Sequence, residues 1–114
     1  MTIRNLTKAE RLEVSRRRAD LTQKEAAELL GIPFFRYKRM EKGDLETDGS
    51  TPSVPVGALT QAETCRVFRR RAGYTLAELE AETGLKAKWL HRAEVGNTRN
   101  IAALVEFWRA RAAV

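Results

Sequence analysis

The 114 residues suffice for one ordinary domain or two very small ones, and 43% apolar with 32% charged residues is a globular rather than a disordered composition. No apolar run reaches the length of a membrane span and no signal-peptide layout opens the chain, so a soluble protein without membrane contact is expected. The lone Cys65 excludes an intrachain disulfide and fits a reducing cytoplasm, while a formal charge of +6 and a pI near 10 favour an anionic partner, nucleic acid above all.

Thr7 and Glu10 have the spacing of a reciprocal N-terminal capping box, and they open a helix predicted over 8–19. The stretch Leu21–Gly43 follows. In it Thr22 and Glu25 repeat the capping spacing, and a short amphipathic helix over 23–30 carries Ala26, Ala27, Leu29 and Leu30 before stopping at Gly31. Pro33 stands where the next helix, 33–42, begins, at a position whose N–H has no intrahelical partner in any case. Gly43 closes that helix as a left-handed cap. Two short helices about a tight Gly-containing turn make a helix-turn-helix.

Residues 44–59 are rich in acidic, Gly, Ser and Pro residues with two X-Pro steps, and read as a linker. Val54, Val56 and Leu59 are placed to pin part of it to a helical surface. Three further helices are predicted over 61–72, 76–83 and 86–95, with Tyr74 and Leu79 spaced as a hydrophobic staple. A seventh spans 100–112, where Ile101, Leu104, Val105 and Trp108 fall at i, i+3, i+4 and i+7 and Phe107 widens the stripe. Its plain role is to close the second core. Its sharper role is a dimer contact through Phe107 and Trp108, because a unit of about 50 residues struggles to bury enough surface alone.

An offset of 53 residues lays Thr7–Gly43 on Thr60–Gly96 without a gap, and 14 of the 37 positions are identical. The identities fall on caps, turns and charges, where backbone geometry dictates the residue. The expected organisation is therefore all-α, about seven helices in two tandem helix-turn-helix units: residues 1–48, a linker over 49–59, and residues 60–114 with an additional C-terminal helix. Net charge is +2 over residues 1–48 and +4 over residues 60–114.

Both units resemble the Xre/Cro/C1 (lambda-repressor-like) class of helix-turn-helix domains. The residues that carry the likeness are Arg16, Leu21-Thr22-Gln23, Ala27, Gly31-Ile32 and Arg39-Met40-Glu41-Lys42-Gly43. The second, looser copy has Arg69, Tyr74-Thr75, Gly84-Leu85, Arg92-Ala93-Glu94 and Gly96. The resemblance implies a DNA-binding domain, most often a transcriptional repressor of a phage or bacterium, whose third helix enters the major groove. It assigns reading positions to Phe34, Phe35 and Arg36, with Lys38 and Arg39 further along, and in the second unit to Ala87, Lys88 and Trp89, then His91 and Arg92. It sets Gln23 at a phosphate, and pairs Arg16 with Glu41 and Arg69 with Glu94 inside the fold. The capped starts of the second helices are also expected to offer N–H groups to phosphate oxygens.

Residue chemistry sorts these positions further. Arg36 and Arg39 suit bidentate readout of guanine, and Lys38, Lys86 and Lys88 suit phosphate contacts. Aromatic edges at Phe34 and Phe35 can touch a thymine methyl but read no donor–acceptor pattern; the alternative is that one packs inward or onto the linker. Trp89 either covers a sugar or base or joins the core near Leu90. Only one Arg of each Arg-Arg-Arg run (16–18 and 69–71) can serve the internal pair, since consecutive helical residues point apart.

The first unit lacks the family's fourth and fifth helices, so its open core face needs cover from the linker, the other unit or a second chain. In the second unit Leu76 replaces the phosphate-facing Gln, Glu80 a closely packed Ala, and Thr83 an apolar residue. That unit either reads an adjacent groove or mediates dimerisation. His91 is the single histidine and Cys65 aligns with Leu12 of the first copy, so no catalytic role, cofactor or metal is expected. Rival readings are an antitoxin-like protein gripping a toxin, and an adaptor or activator touching RNA polymerase through the second unit.

Overall fold

The computed structural model describes residues 3, 5–45 and 51–112. These form an all-α protein of seven helices, with no strand among the described residues: α1 (Lys8–Arg18), α2 (Gln23–Leu30), α3 (Phe34–Lys42), α4 (Gln61–Ala72), α5 (Leu76–Thr83), α6 (Ala87–Glu94) and α7 (Ala102–Ala112). None of them is long and apolar enough to cross a membrane. The chain divides into two compact units, Arg4–Gly57 and Ala58–Val114, with Met1–Ile3 grouped with the latter.

Helix starts in both units follow one chemical rule. Thr7, Thr22, Thr60 and Thr75 each accept from the backbone N–H three residues on, and the Glu at that third position accepts from the threonine's own N–H. Two donors that a helix start leaves orphaned are thereby satisfied at each start. The same hydrogen bonds from Thr22 and Thr75 hold the Glu25 and Glu78 carboxyls below the usual carboxylate range. Helices α3 and α6 begin differently, on Pro33 and Lys86, and neither N-cap side chain makes a capping bond. Pro33 is the extended N-cap (ψ 144°) rather than the first helical residue.

The first unit's core joins Leu12 of α1, Ala26 and Ala27 of α2, Tyr37 and Met40 of α3, and Leu45 beyond it. Tyr37, Met40 and Glu41 are buried at i, i+3 and i+4, so α3 turns one stripe inward and the rest to solvent. The open core face is covered by the unit's own linker. Leu45 is buried, Val54 packs on the same cluster, buried Thr51 donates its hydroxyl to the Leu45 carbonyl, and Arg18 Nη1 donates to the Val56 carbonyl. The expected boundary at residues 48–49 lies outside the described residues. Helix α2 buries less than its pattern suggests: Ala26 and Ala27 are enclosed, whereas Leu29 and Leu30 are exposed. The left-handed turn at Gly31 (φ 69°) lets Ile32 fold back, donate to the Ala27 carbonyl at 3.1 Å and pack on the core beyond them.

The second unit has a larger core, with Cys65, Leu79, Leu90, Ala93, Ile101, Leu104, Val105 and Trp108 buried together. Helix α7 closes it. Trp108 is 3% exposed, stacks on Phe68 with ring centroids 5.9 Å apart and meets Phe107 edge-on at 4.9 Å. Arg111 lies over the Tyr74 and Phe107 rings and pairs with Glu82 of α5 at 3.2 Å. Trp108 is thus consumed by its own core, and Phe107 is half-buried against it. Asn100 lies before α7 rather than in it, its side-chain oxygen accepting from the Ala102 N–H at 3.0 Å.

In each unit one arginine ties the first helix to the third. Arg16 Nε donates to Glu41 Oε2 at 2.6 Å and Nη2 to Oε1 at 3.2 Å, while Nη1 donates to the Leu21 carbonyl at 2.8 Å. Arg69 Nε donates to both oxygens of Glu94 at 3.0 and 2.8 Å, and Nη1 to the Tyr74 carbonyl at 2.9 Å. Both pairs are nearly shut off from water, the side chains being 13% and 4% exposed in one and 12% and 3% in the other. Burial works against charge on Arg16, but the hydrogen bond and charge of Glu41 outweigh it, so its pKa lies above the ordinary arginine value. Removing one member leaves a buried charge unmatched, at a cost of about 3 kcal/mol or more. We expect Glu94→Ala to lower the urea midpoint followed by tryptophan fluorescence, because Trp89 and Trp108 both lie in this unit. Glu41→Ala should lower the midpoint followed by circular dichroism. Unchanged midpoints would mean that the pairs carry no stability.

Cys65 is wholly buried, and its thiol is pushed up to about 12 by burial first and by the charge of Glu94 second. Only the thiolate reacts readily. A thiol reagent at pH 8 should therefore modify Cys65 no faster than the second unit opens, and urea should abolish that protection. Immediate labelling of the native protein would contradict the packing.

Candidate nucleic-acid interface

The buried stripe of α3 fixes what its other side presents. With Tyr37, Met40 and Glu41 turned inward, Phe34, Phe35, Arg36, Lys38, Arg39 and Lys42 are all exposed. Helical spacing puts Phe35, Arg39 and Lys42 on the line farthest from the core, at i, i+4 and i+7. Neither phenylalanine packs inward: Phe34 is 42% exposed and Phe35 67%. Lys38 Nζ sits 5.3 Å from the Phe34 ring centroid, a cation–π approach that holds the ammonium near the helix surface. Four cations and no exposed carboxylate occupy this face, since the acid of the helix, Glu41, is buried against Arg16.

Gln23, expected at a phosphate, is half-buried and donates to Glu41 Oε1 at 3.2 Å. Tyr37 also hydrogen-bonds Glu41, and its phenol titrates well above the ordinary tyrosine range, chiefly through burial and then through that carboxylate. Glu41 therefore gathers Arg16, Gln23 and Tyr37, one from each helix of the unit. The capping box at Thr22 engages the N–H groups of Thr22 and Glu25, so two of the donors at the start of α2 are already satisfied within the chain.

The matching face of α6 is different. Lys86, Lys88, His91 and Arg92 are exposed, but Ala87 is half-buried and Trp89 packs against the core cluster. The start of the helix holds a carboxylate: Glu80 Oε1 accepts from the Ala87 N–H at 2.6 Å. Its counterpart in the first unit is Ala27, 2% exposed and part of the core. The positive end of α6 is thus answered internally by a negative side chain from α5. No spacing rule within a single helix would have found this bond, because Glu80 and Ala87 lie on consecutive helices. The Tyr37–Glu41 partnership, in contrast, follows an ordinary i, i+4 spacing. Leu29 and Leu30 are also missing from a sequence-based interface, although they are 74% and 51% exposed.

No protein-family model, curated protein or solved structure matches the chain.

Because Glu80 supplies the only side-chain cap shown at α6, Glu80→Ala should cost about 1 kcal/mol of stability. The expected readout is a lower urea midpoint in tryptophan fluorescence. A midpoint equal to that of the unaltered protein would mean that the 2.6 Å bond contributes nothing in solution.

Proposed function

We propose that the chain is a sequence-specific DNA-binding transcriptional regulator of the lambda-repressor-like helix-turn-helix class, built from two tandem units and working as a repressor in a prokaryotic or phage-infected cytoplasm. The observation that carries this reading is the outward face of α3, which sets Arg36, Lys38, Arg39 and Lys42 around two exposed phenylalanines. A helix pinned by a buried stripe and cationic on its free side is suited to the major groove, where phosphate contacts position and base contacts specify. The net charge of +6 supports it through counterion release. Repression would follow from occupying DNA that RNA polymerase needs.

In this reading the first unit does the sequence reading. The second contributes at most backbone contacts from Lys86, Lys88 and Arg92, because Glu80 holds the start of α6 and Trp89 belongs to the core. A second function for that unit has its own support: exposed Val95, at the end of α6, gives a protein partner an apolar foothold beside the basic residues. That alternative covers a toxin gripped by an antitoxin-like protein, an RNA polymerase contact, or a second copy of the chain.

The test is footprinting of the full chain on the DNA upstream of its own gene, over a salt series. An asymmetric footprint is the result for a monomer; a palindrome with half-sites about one helical turn apart is the result for a dimer. Arg36→Ala should cost about 1–3 kcal/mol on the specific site and relax the preference at particular base pairs. Equal losses on specific and random duplexes would count against direct readout. Lys86→Ala with Lys88→Ala should leave the base preference intact and flatten the salt slope only if the second unit touches phosphates.

A further inference from the structure

Phe35 is the most exposed aromatic of the chain's large apolar side chains, and it lies on the line of α3 farthest from the core, one turn before Arg39. Its surroundings choose among possible occupants. Arg36, Lys38, Arg39 and Lys42 are exposed on α3 and its one acid, Glu41, is buried, so a strongly anionic occupant complements the surroundings of Phe35. It must also offer an apolar group to a ring edge that can neither donate nor accept a hydrogen bond. In the major groove of duplex DNA the 5-methyl group of thymine is the apolar feature on the base edges. Phe34 is less free than Phe35, being 42% rather than 67% exposed and sitting beneath Lys38 Nζ.

We propose that Phe35, flanked by Phe34, reads thymine methyl groups, so that the preferred site carries thymine close to the guanine addressed by Arg36 or Arg39. The inference rests on the DNA-binding reading above and adds the base that the aromatic pair selects. It assigns the two kinds of side chain on α3 to two kinds of base: the guanidinium groups to hydrogen-bond acceptors, the ring to a methyl.

The experiment selects a preferred duplex from a random-sequence pool with the full chain, then replaces each thymine singly by deoxyuridine, which keeps the base pair and removes only the methyl. Burial of one such group corresponds to about a four-fold change in affinity. One or two positions should lose that much. With Phe35→Ser, a surface change checked for unaltered circular dichroism, the same replacements should have no further effect. Sequence-specific binding that is insensitive to deoxyuridine at every position would overturn this inference and leave the DNA-binding reading standing. Full sensitivity retained by Phe35→Ser would overturn it too, by giving the methyl to another side chain. A Phe35-dependent dimer in sedimentation without DNA would assign the ring to a second copy. Failure to bind any duplex would remove the parent reading and this one together.

Discussion

A buried arginine–carboxylate pair is the constraint on which each unit depends. Arg16 spends one nitrogen on the Leu21 carbonyl and two on Glu41, and so joins the end of α1, the turn into α2 and the last turn of α3 through one planar group. Guanidinium geometry makes this possible, because its donors form a rigid fork that an ammonium lacks. In the second unit Arg69 makes the same three-way connection to Tyr74 and Glu94. The helices of both units are short, none longer than 12 residues, so isolated they are marginal and depend on contacts between elements. A charge pair that is costly to separate in a nearly dry setting ties the first and third helices of each unit together.

That pair also determines the chemistry of the free surface. Glu41 is the acid of α3, and its burial against Arg16, Gln23 and Tyr37 removes negative charge from the outward face. What remains is cationic and aromatic. Structural necessity on one side of the helix thereby sharpens the electrostatic character of the other. Gln23 illustrates the competition: a side chain suited to an external phosphate is drawn inward because a buried carboxylate has a lone pair to fill.

Much of the fold was legible in the residues because it rests on local rules. Four Thr-x-x-Glu capping boxes and the glycines at 31 and 43 give helix boundaries within a residue or two, and the seven-helix all-α class follows. The pattern at Ile101, Leu104, Val105 and Trp108 marks α7 as a core helix for the same reason. Features that depend on where a short helix ends were harder to see. Leu29 and Leu30 fit an apolar pattern yet stay exposed, because the turn at Gly31 hands the core position to Ile32. At the candidate interface, sequence names the residues of α3 but not their exposure: only the burial of Tyr37, Met40 and Glu41 decides that both phenylalanines face outward. The bond from Ala87 to Glu80 joins consecutive helices and has no local signature.

The two units show how one pattern of caps and charges can support unequal surfaces. Position 27 in the first unit is an alanine enclosed by the core, and α3 begins without a side-chain cap. At the matching position 80 the second unit has a glutamate bonded to the first N–H of α6. The substitution changes two things at once. It gives α6 a cap that α3 lacks, stabilising the helix, and it sets a negative charge at the positive end of the helix dipole. An N–H bonded to Glu80 is no longer open to any other acceptor, so the second unit commits this donor to holding its own helix. Its higher net charge does not reverse this, because charge spread over several arginines and lysines acts at a distance and is screened, whereas the carboxylate of Glu80 acts at contact. The first unit, with its smaller core, uncapped α3 and exposed aromatic pair, leaves more of its third helix unsatisfied by its own residues than the second does.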